Sequence, residues 1–174
     1  MAPQERLEIV QVLESSREEV NAAVQGILDS HASARLDPDR WTVLECLEHI
    51  SAVEERLLGR LETAERLEEA RVDTEKEAKL SAMVVNRSVR APAPEMVVPT
   101  GKFSSVAEAL DHFNASRSRT VAFAEEHGAD LYLLATAHPR FGALNGNEML
   151  FIMAGHARRH VEQIREIRAG IENS

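Results

Sequence analysis

One stripe of residues near the end of the chain constrains its fold more than any other feature. It consists of residues that follow one another at steps of three or four: Met149, Met153, His156, His160, Ile164, Ile167 and Ile171. Residues at these steps lie on one face of an α-helix, and a mostly apolar face packs against a protein core. The stripe therefore predicts a long helix with two histidines on its buried side, where imidazoles need polar partners.

The histidine pair of this stripe has two interpretations. Each imidazole could be satisfied by a carbonyl or a neighbouring side chain, as buried polar groups usually are. At a spacing of i, i+4 the pair could instead supply two ligands to one metal ion, because neutral imidazole is the commonest metal ligand. The spacing favours the metal site. A metalloprotease of the His-Glu-x-x-His type is excluded, because Ala157 stands where its general-base glutamate would be.

Two amphipathic helices are predicted before residue 71. Apolar positions at helical spacing predict the first over residues 5–31, and Pro38 in the segment that follows cannot continue a helix. Thr42 and Glu45 have the spacing of a capping box, which predicts the start of the second helix. The apolar positions of this helix fade in a charged run that reaches Ala70.

A long crossover is predicted over residues 71–102. It contains a short predicted helix over residues 73–83, followed by three prolines that favour extended backbone. No strand-like alternation is present in the sequence, and residues 137–142 are interpreted as a loop. A crossover of this length can carry the chain from one end of a helical bundle to the other.

Two more long helices follow the crossover. Ser105 and Glu108 have the spacing of a capping box that opens the third, and Gly128 is predicted to end it. Asn145 is predicted to cap the fourth helix, which carries the histidine pair. Four long amphipathic helices predict an all-α four-helix bundle, and no linker divides residues 1–174 into more than one domain.

Composition narrows the classes of function. A net charge of −9 argues against a surface that binds duplex nucleic acid, which needs clustered Lys and Arg. The sequence contains no run of eighteen apolar residues and begins without an apolar signal core, so neither a membrane span nor export is expected. The single cysteine, Cys46, excludes an internal disulfide and fits cytoplasmic residence.

A third metal ligand would have to come from another helix, and His49 is the best placed of the remaining histidines. It lies in the middle of the second predicted helix, beside the apolar positions of that helix. The others lie at helix ends, off the apolar face or in a loop: His31, His112, His127 and His138. On the evidence of this helix alone, His49 is better explained as a boundary residue with one nitrogen in solvent.

Three segments, taken in order, resemble a known family. They are WTVLECLEHI at residues 41–50, HPRFG at residues 138–142, and the pair His156 and His160. With the four-helix pattern, their order and spacing resemble the DinB-like superfamily, which includes the YfiT proteins. The resemblance covers nearly the full length of the chain and implies an up-down-down-up bundle.

The resemblance also implies a metal site and a chemistry. The second helix would supply His49 and the fourth His156 and His160 as ligands of a divalent metal, with zinc or nickel as the expected ions. Characterised relatives include S-transferases and an isomerase that use a low-molecular-weight thiol such as bacillithiol or mycothiol. Cys46 and Arg159 are weaker candidates near the site, with packing as the simpler role for Cys46 and a solvated charge as the simpler role for Arg159.

Two functional classes remain open at this point. The first is a metal-dependent enzyme, with thiol S-transfer to a small electrophile, or a related isomerisation, as the expected reaction. The second is a non-catalytic metal-binding bundle that serves ligand binding or oligomerisation. A small-molecule substrate is the expected partner, without nucleic acid or membrane, and a homodimer is one assembly that the chain could form.

Overall fold

A computed structural model describes the backbone of residues 3–88 and 92–174, and the side chains of this part from Glu8 onward. The helices and strands are, in chain order, α1 (Pro3–Val24), α2 (Asp29–Ala32), α3 (Val43–Glu62), β1 (Glu65–Arg66), α4 (Thr74–Val85), α5 (Val106–His127), β2 (Leu134–His138), β3 (Gly142–Asn145) and α6 (Gly146–Glu172). Short 3₁₀ turns cover Glu95–Val97 and Gly128–Leu133. The four long helices α1, α3, α5 and α6 form the predicted bundle, in which α1 and α3 each pack against both α5 and α6.

The directions of the four long helices follow from two clusters of buried apolar residues, one at each end of the bundle. One cluster joins the beginnings of α1 and α6 to the ends of α3 and α5. The other joins the end of α1 and the later part of α6 to the beginnings of α3 and α5. Helices α1 and α6 therefore run in one direction and α3 and α5 in the other, which confirms the up-down-down-up bundle.

The first helix is shorter than the sequence predicts. Helix α1 ends at Val24, and the separate short helix α2 covers Asp29–Ala32, so the prediction of one helix over residues 5–31 is wrong. The chain turns at Gly26, whose φ of 74° is a left-handed conformation that suits glycine and interrupts a helix. The apolar spacing continues across this turn, which explains why it does not mark the break.

Helix α3 begins where the capping box predicts. Glu45 donates its backbone N–H to the Thr42 hydroxyl over 3.1 Å, and the Glu45 carboxylate accepts the backbone N–H of Thr42 over 2.8 Å. The helix ends at Glu62, before the predicted limit at Ala70. The charged residues beyond Glu62 lead into β1 because the backbone there pairs with β2.

The crossover between α3 and α5 contains the predicted short helix, observed as α4 with Asp73 as its cap. Helix α4 packs against α6, so the crossover adds a fifth helix to one side of the bundle. At Gly155 on α6 the two helices approach closely, because a Cβ built there would lie 3.2 Å from the Cβ of Val84. Residues 89–91 of the predicted crossover lie outside the described part of the chain.

A small antiparallel sheet, in the order β1-β2-β3, is absent from the sequence-based prediction. The expected loop over residues 137–142 is instead the turn of a hairpin, in which His138 pairs with Gly142. Gly142 directly follows the three turn residues 139–141 and has a φ of 73°, a left-handed conformation that suits glycine. These strands have two to five residues, too few for a period-two pattern to emerge.

The capping box predicted at the start of α5 is only half formed. The Ser105 hydroxyl accepts the backbone N–H of Glu108 over 3.1 Å, and Gly128 follows the end of α5 as predicted. The Glu108 carboxylate, however, binds the backbone N–H and hydroxyl of Ser104 rather than closing the box on Ser105. Ser104 offers two donors to that carboxylate, whereas the cap residue would offer one. The fourth helix has the complete box, with Asn145 and Glu148 as reciprocal partners.

A fully buried ion pair links α3 and α5 between the two apolar clusters. Arg117 and Glu54 form two hydrogen bonds of 2.6 and 2.9 Å, and their side chains are 0% and 2% exposed. Another guanidinium nitrogen of Arg117 donates to the Leu13 carbonyl and the Ser16 hydroxyl of α1. The pair therefore ties three of the four bundle helices together. Among the described residues, no helix is long and apolar enough to cross a membrane.

Candidate metal site

Three imidazoles from α3 and α6 converge on one point near the middle of the bundle. The Nε2 atom of His156 lies 3.1 Å from Nε2 of His49 and 3.2 Å from Nε2 of His160. His49 and His160 are buried, whereas His156 is partly exposed. Because His156 and His160 are one helical turn apart and α6 packs against α3, the helices alone bring the three rings together.

Hydrogen bonds at Nδ1 fix the tautomers of His49 and His160. Nδ1 of His49 lies 2.8 Å from the carbonyl oxygen of Val97, which can only accept, so this nitrogen carries the hydrogen. Nδ1 of His160 lies 2.8 Å from the amide oxygen of Gln163 and donates in the same way. In their neutral forms both rings therefore direct an unprotonated Nε2 at His156.

Burial favours the neutral form of all three imidazoles. Burial lowers the pKa of His49, and it lowers the pKa of His160 to about 3 with a smaller contribution from His49. Burial also lowers the pKa of His156 well below its ordinary value, and the two neighbouring histidines add to this effect. Neutral imidazoles are the form that binds a metal ion.

The donor set fits a divalent transition-metal ion. Among the described His, Cys, Asp and Glu residues, these three histidines form the group whose ligand atoms all lie within 4.8 Å of one another. Metal–nitrogen distances of about 2.0–2.1 Å at tetrahedral angles put the nitrogens roughly 3.3 Å apart. This is close to the 3.1 and 3.2 Å that separate Nε2 of His156 from the other two. Without a cation, one hydrogen on Nε2 of His156 could serve only one of the two lone pairs that face it. A set of three nitrogen ligands leaves at least one position for a substrate or a water molecule.

The crossover supplies the outer contacts of the site. Glu48, which precedes His49, accepts hydrogen bonds from the backbone N–H groups of Thr100, Gly101 and Lys102 and from the Thr100 hydroxyl. These contacts hold the end of the crossover against α3, next to the Val97 carbonyl. Sequence patterns miss this role of Glu48, because its partners lie more than fifty residues away and are mostly backbone groups.

A cavity of about 630 Å³ opens onto the three histidines. Its walls come from α3, the crossover, the β2–β3 hairpin and α6. Trp41 forms one side, with its ring centroid 4.7 Å from His49 and 6.0 Å from His160. The cavity is large enough for a small organic molecule beside the histidines.

The structure places the remaining candidate residues as follows. Cys46 is fully buried in an apolar cluster, where burial raises the pKa of its thiol, and it is not among the residues that line the cavity. Arg159 lines the cavity and donates to the backbone carbonyls of Val84 and Asn86 at the end of α4. His138 also lines the cavity, from the hairpin. The sequence alone leaves its role undefined.

Comparison with known families is consistent with this fold. A family model of the DinB superfamily matches residues 12–164. The chain belongs to the DinB superfamily. The resemblance found in the sequence is therefore confirmed, and the match includes His49, His156 and His160.

Two similar proteins come from Bacillus subtilis. The uncharacterized protein YuaE of strain 168 is 21% identical over 163 residues, which cover 94% of this chain and 99% of YuaE. The structure of YfiT, described as a probable metal-dependent hydrolase with an unusual four-helix bundle topology, superimposes with a TM-score of 0.59 and 16% identity. That superposition covers 99% of this chain and 90% of YfiT, so this DinB-superfamily chain shares the YfiT fold.

Proposed function

We propose that this DinB-superfamily protein is a metal-dependent enzyme whose single divalent ion is held by His49, His156 and His160. One observation carries the proposal: Nε2 of His156 lies 3.1 and 3.2 Å from Nε2 of His49 and His160. Hydrogen bonds to Val97 and Gln163 leave the Nε2 atoms of His49 and His160 unprotonated. Imidazole ligands suit zinc or nickel, the ions that the family resemblance implies. The cavity beside the histidines supports a catalytic rather than a closed structural site.

The protein's own residues prepare the ligands and shape the space around them. A divalent ion with three nitrogen ligands supplies a Lewis acid that lowers the pKa of a water or thiol in its open position. The Val97 carbonyl and Gln163 amide hold His49 and His160 in the correct tautomer, as outer partners of metal-binding histidines do. Trp41 covers one side of the rings and limits the access of water.

Hydrolysis is the first reaction that we propose. The description of YfiT as a probable metal-dependent hydrolase supports water as the nucleophile in a chain of the same fold. The only carboxylates among the described lining residues are Asp39 and Glu166, and Glu166 is paired with Arg87 at 2.6 Å. The described walls therefore offer few carboxylate general bases, so an ion held by the three histidines would have to supply most of the activation of the nucleophile.

Thiol S-transfer, the reaction expected from the sequence, is our second candidate. Cys46 is buried outside the cavity with a raised thiol pKa, so a thiol nucleophile would have to be a separate small molecule. The cavity volume has room for one such as bacillithiol, mycothiol or glutathione beside an electrophile. A non-catalytic metal-binding bundle is the alternative that the experiment must separate from both.

The test compares metal content and activity in matched variants. Purified protein is loaded separately with Zn²⁺ and Ni²⁺, and bound metal is measured by mass spectrometry beside hydrolysis of 4-nitrophenyl acetate. We expect about one ion per chain in the wild type and a large loss in His156→Ala. His112→Ala is the control, because His112 contacts Glu55 outside the cavity. Wild-type protein that binds no ion would overturn the proposal.

A cobalt-loaded sample separates the two reactions. A thiol that binds the ion through sulfur adds a charge-transfer absorption band, so the three thiols are added in turn at millimolar concentration. A band together with transfer to an electrophile selects the S-transferase, whereas ester hydrolysis without a band selects the hydrolase. A bound ion with neither reaction would leave the non-catalytic bundle.

A further inference from the structure

The charge of the cavity wall is opposite to that of the protein. The chain carries a net charge of −9, yet the described residues that line the cavity include six arginines and only two carboxylates. One of these carboxylates, Glu166, is already paired with Arg87. A concave surface with excess positive charge attracts anions. The net negative charge of the protein already favours solubility, so solubility does not explain a positive cavity wall.

Arg60 is the best-placed cation of this wall. It projects from α3 and donates one hydrogen bond, 2.8 Å long, to the carbonyl oxygen of Ala137 in β2. A guanidinium has five N–H donors, and none of the ion pairs formed by the described residues involves Arg60. The Ala137 contact therefore holds the group in place while most of its donors stay available to a ligand.

Arg140 and His138 extend the cation cluster onto the hairpin. The guanidinium of Arg140 lies over the ring of Phe141, 5.2 Å from its centroid, without a carboxylate partner among the described residues. The backbone N–H of Arg140 donates to Nδ1 of His138, so neutral His138 carries its hydrogen at Nε2 and can donate there. Arg60 reaches the same strand, because its partner Ala137 directly precedes His138. Burial lowers the pKa of His138, and the charges of Arg60 and Arg140 lower it further.

We propose that Arg60, Arg140 and His138 form an oxyanion-binding subsite for a carboxylate or phosphoryl group of the substrate. These residues share one cavity with the three metal-site histidines, so one small molecule can contact both. Guanidinium groups bind both kinds of oxyanion through paired N–H donors. The inference deepens the proposed function, on which its catalytic meaning rests, by assigning small organic acids or phosphate esters as the substrate class.

Anion binding is measured on metal-free protein, so that the ion itself cannot hold the probe. Succinate and inorganic phosphate are titrated by calorimetry at low salt, with succinamide as the neutral control. We expect saturable binding of at least one anion and none of succinamide, and the comparison between the two anions separates carboxylate from phosphoryl recognition. Arg60→Gln and Arg140→Gln should each weaken the binding about tenfold, the size expected for a lost charged hydrogen bond.

Two further variants distinguish recognition from bulk charge. Arg119→Gln removes an equal charge from an exposed position on α5 outside the cavity and should leave binding unchanged. Arg60→Lys keeps the charge but loses the paired donors, so it should bind more weakly than wild type and more tightly than Arg60→Gln. Equal weakening in Arg119→Gln and Arg60→Gln, or no binding of either anion, would overturn the subsite.

The outcomes for the subsite and for the proposed function are separable. Anion binding by metal-free protein, combined with an inactive metal-loaded protein, would retain the subsite and reject the enzyme. Hydrolysis of 4-nitrophenyl acetate by metal-loaded protein, with no anion binding and no preference for an ester that carries a carboxylate, would reject the subsite and retain the enzyme.

Discussion

The carbonyl oxygen of Val97 lies 2.8 Å from Nδ1 of His49 and accepts its hydrogen, which links the crossover directly to the candidate metal site. One residue earlier, Glu48 binds three successive backbone N–H groups of the same crossover segment. Two neighbouring side chains of α3 thus contact the same segment. Glu48 holds the segment against α3, and His49 donates a hydrogen bond to its Val97 carbonyl.

Glu48→Gln should weaken metal binding without removing a ligand. Glutamine keeps one acceptor oxygen but sets an NH₂ group against backbone N–H donors, so the segment that carries Val97 loosens. Loss of an outer contact of this kind typically lowers metal affinity about 10–100-fold. The measurement is competition with a chelator of known affinity, and Glu62→Gln at the exposed end of α3 is the control. Unchanged affinity in Glu48→Gln would show that the crossover does not support the site.

Glu77→Gln should make the protein more stable at neutral pH. Glu77 is buried, which raises the pKa of its carboxyl above the ordinary 4.5 despite hydrogen bonds from Asn147 and Tyr132. Below pH 4.5 the folded and unfolded chains both bind the proton. As the pH rises from there through the folded-state pKa, the unfolded chain ionises more readily and the wild type loses stability.

The melting temperatures of Glu77→Gln and wild type should therefore be similar near pH 4 and diverge towards pH 7, with the variant higher. Glutamine can still accept the hydrogen bond from the Asn147 amide. Glu75→Gln, on the exposed side of the same helix, should show no comparable divergence. A variant that is less stable than wild type at pH 7 would show that the ionised carboxylate is favourable in this network.

The ion pair of Arg117 and Glu54 should be costly to break from one side. Glu54→Gln leaves a buried guanidinium without its charge partner, and such a change destabilises a protein by about 3–5 kcal/mol. The double variant Glu54→Leu with Arg117→Met removes both charges. It should lose less stability than Glu54→Leu alone or Arg117→Met alone. Urea unfolding measures both, with exposed Arg165→Gln as a control that changes little. Additive losses in the double variant would contradict a coupled pair.

Metal removal should lower the melting temperature and leave the helices intact. The two apolar clusters that define the bundle form without the three histidines, so the core does not depend on the ion. An ion present at about a thousand times its dissociation constant adds roughly 4 kcal/mol to stability. Calorimetry before and after chelation measures the shift, and far-UV circular dichroism measures helix content. Complete loss of helicity on chelation would make the site a folding element.

The sequence predicts the parts of this structure that depend on local pattern. The capping pairs at Thr42 and Asn145 are confirmed, because an N-cap side chain and its partner three residues later interact within one turn. The buried face of α6 follows from its apolar period, and that period brings the His156 and His160 rings within reach of each other.

Interactions between residues far apart in the sequence cannot be predicted from local pattern. The Val97 carbonyl is a backbone group and carries no residue-specific signal, although it orients His49. Arg117 lies in a stretch of polar residues on α5, where only the packed structure shows that Glu54 neutralises it. Arg60 and Arg140 meet at one cavity because the hairpin folds back over α3, and strands this short leave no periodic pattern.

The crossover makes the bundle adaptable as a scaffold. Because α3 and α5 run in the same direction, residues 63–105 must travel the length of the molecule, and on the way they supply α4 and the Val97 carbonyl. Insertions or exchanges in the cavity-lining part of this segment can reshape the substrate space while the four long helices keep their packing. Changes confined to the cavity-lining residues before Val97 would thus alter ligand preference and leave the three histidines and the Val97 carbonyl in place.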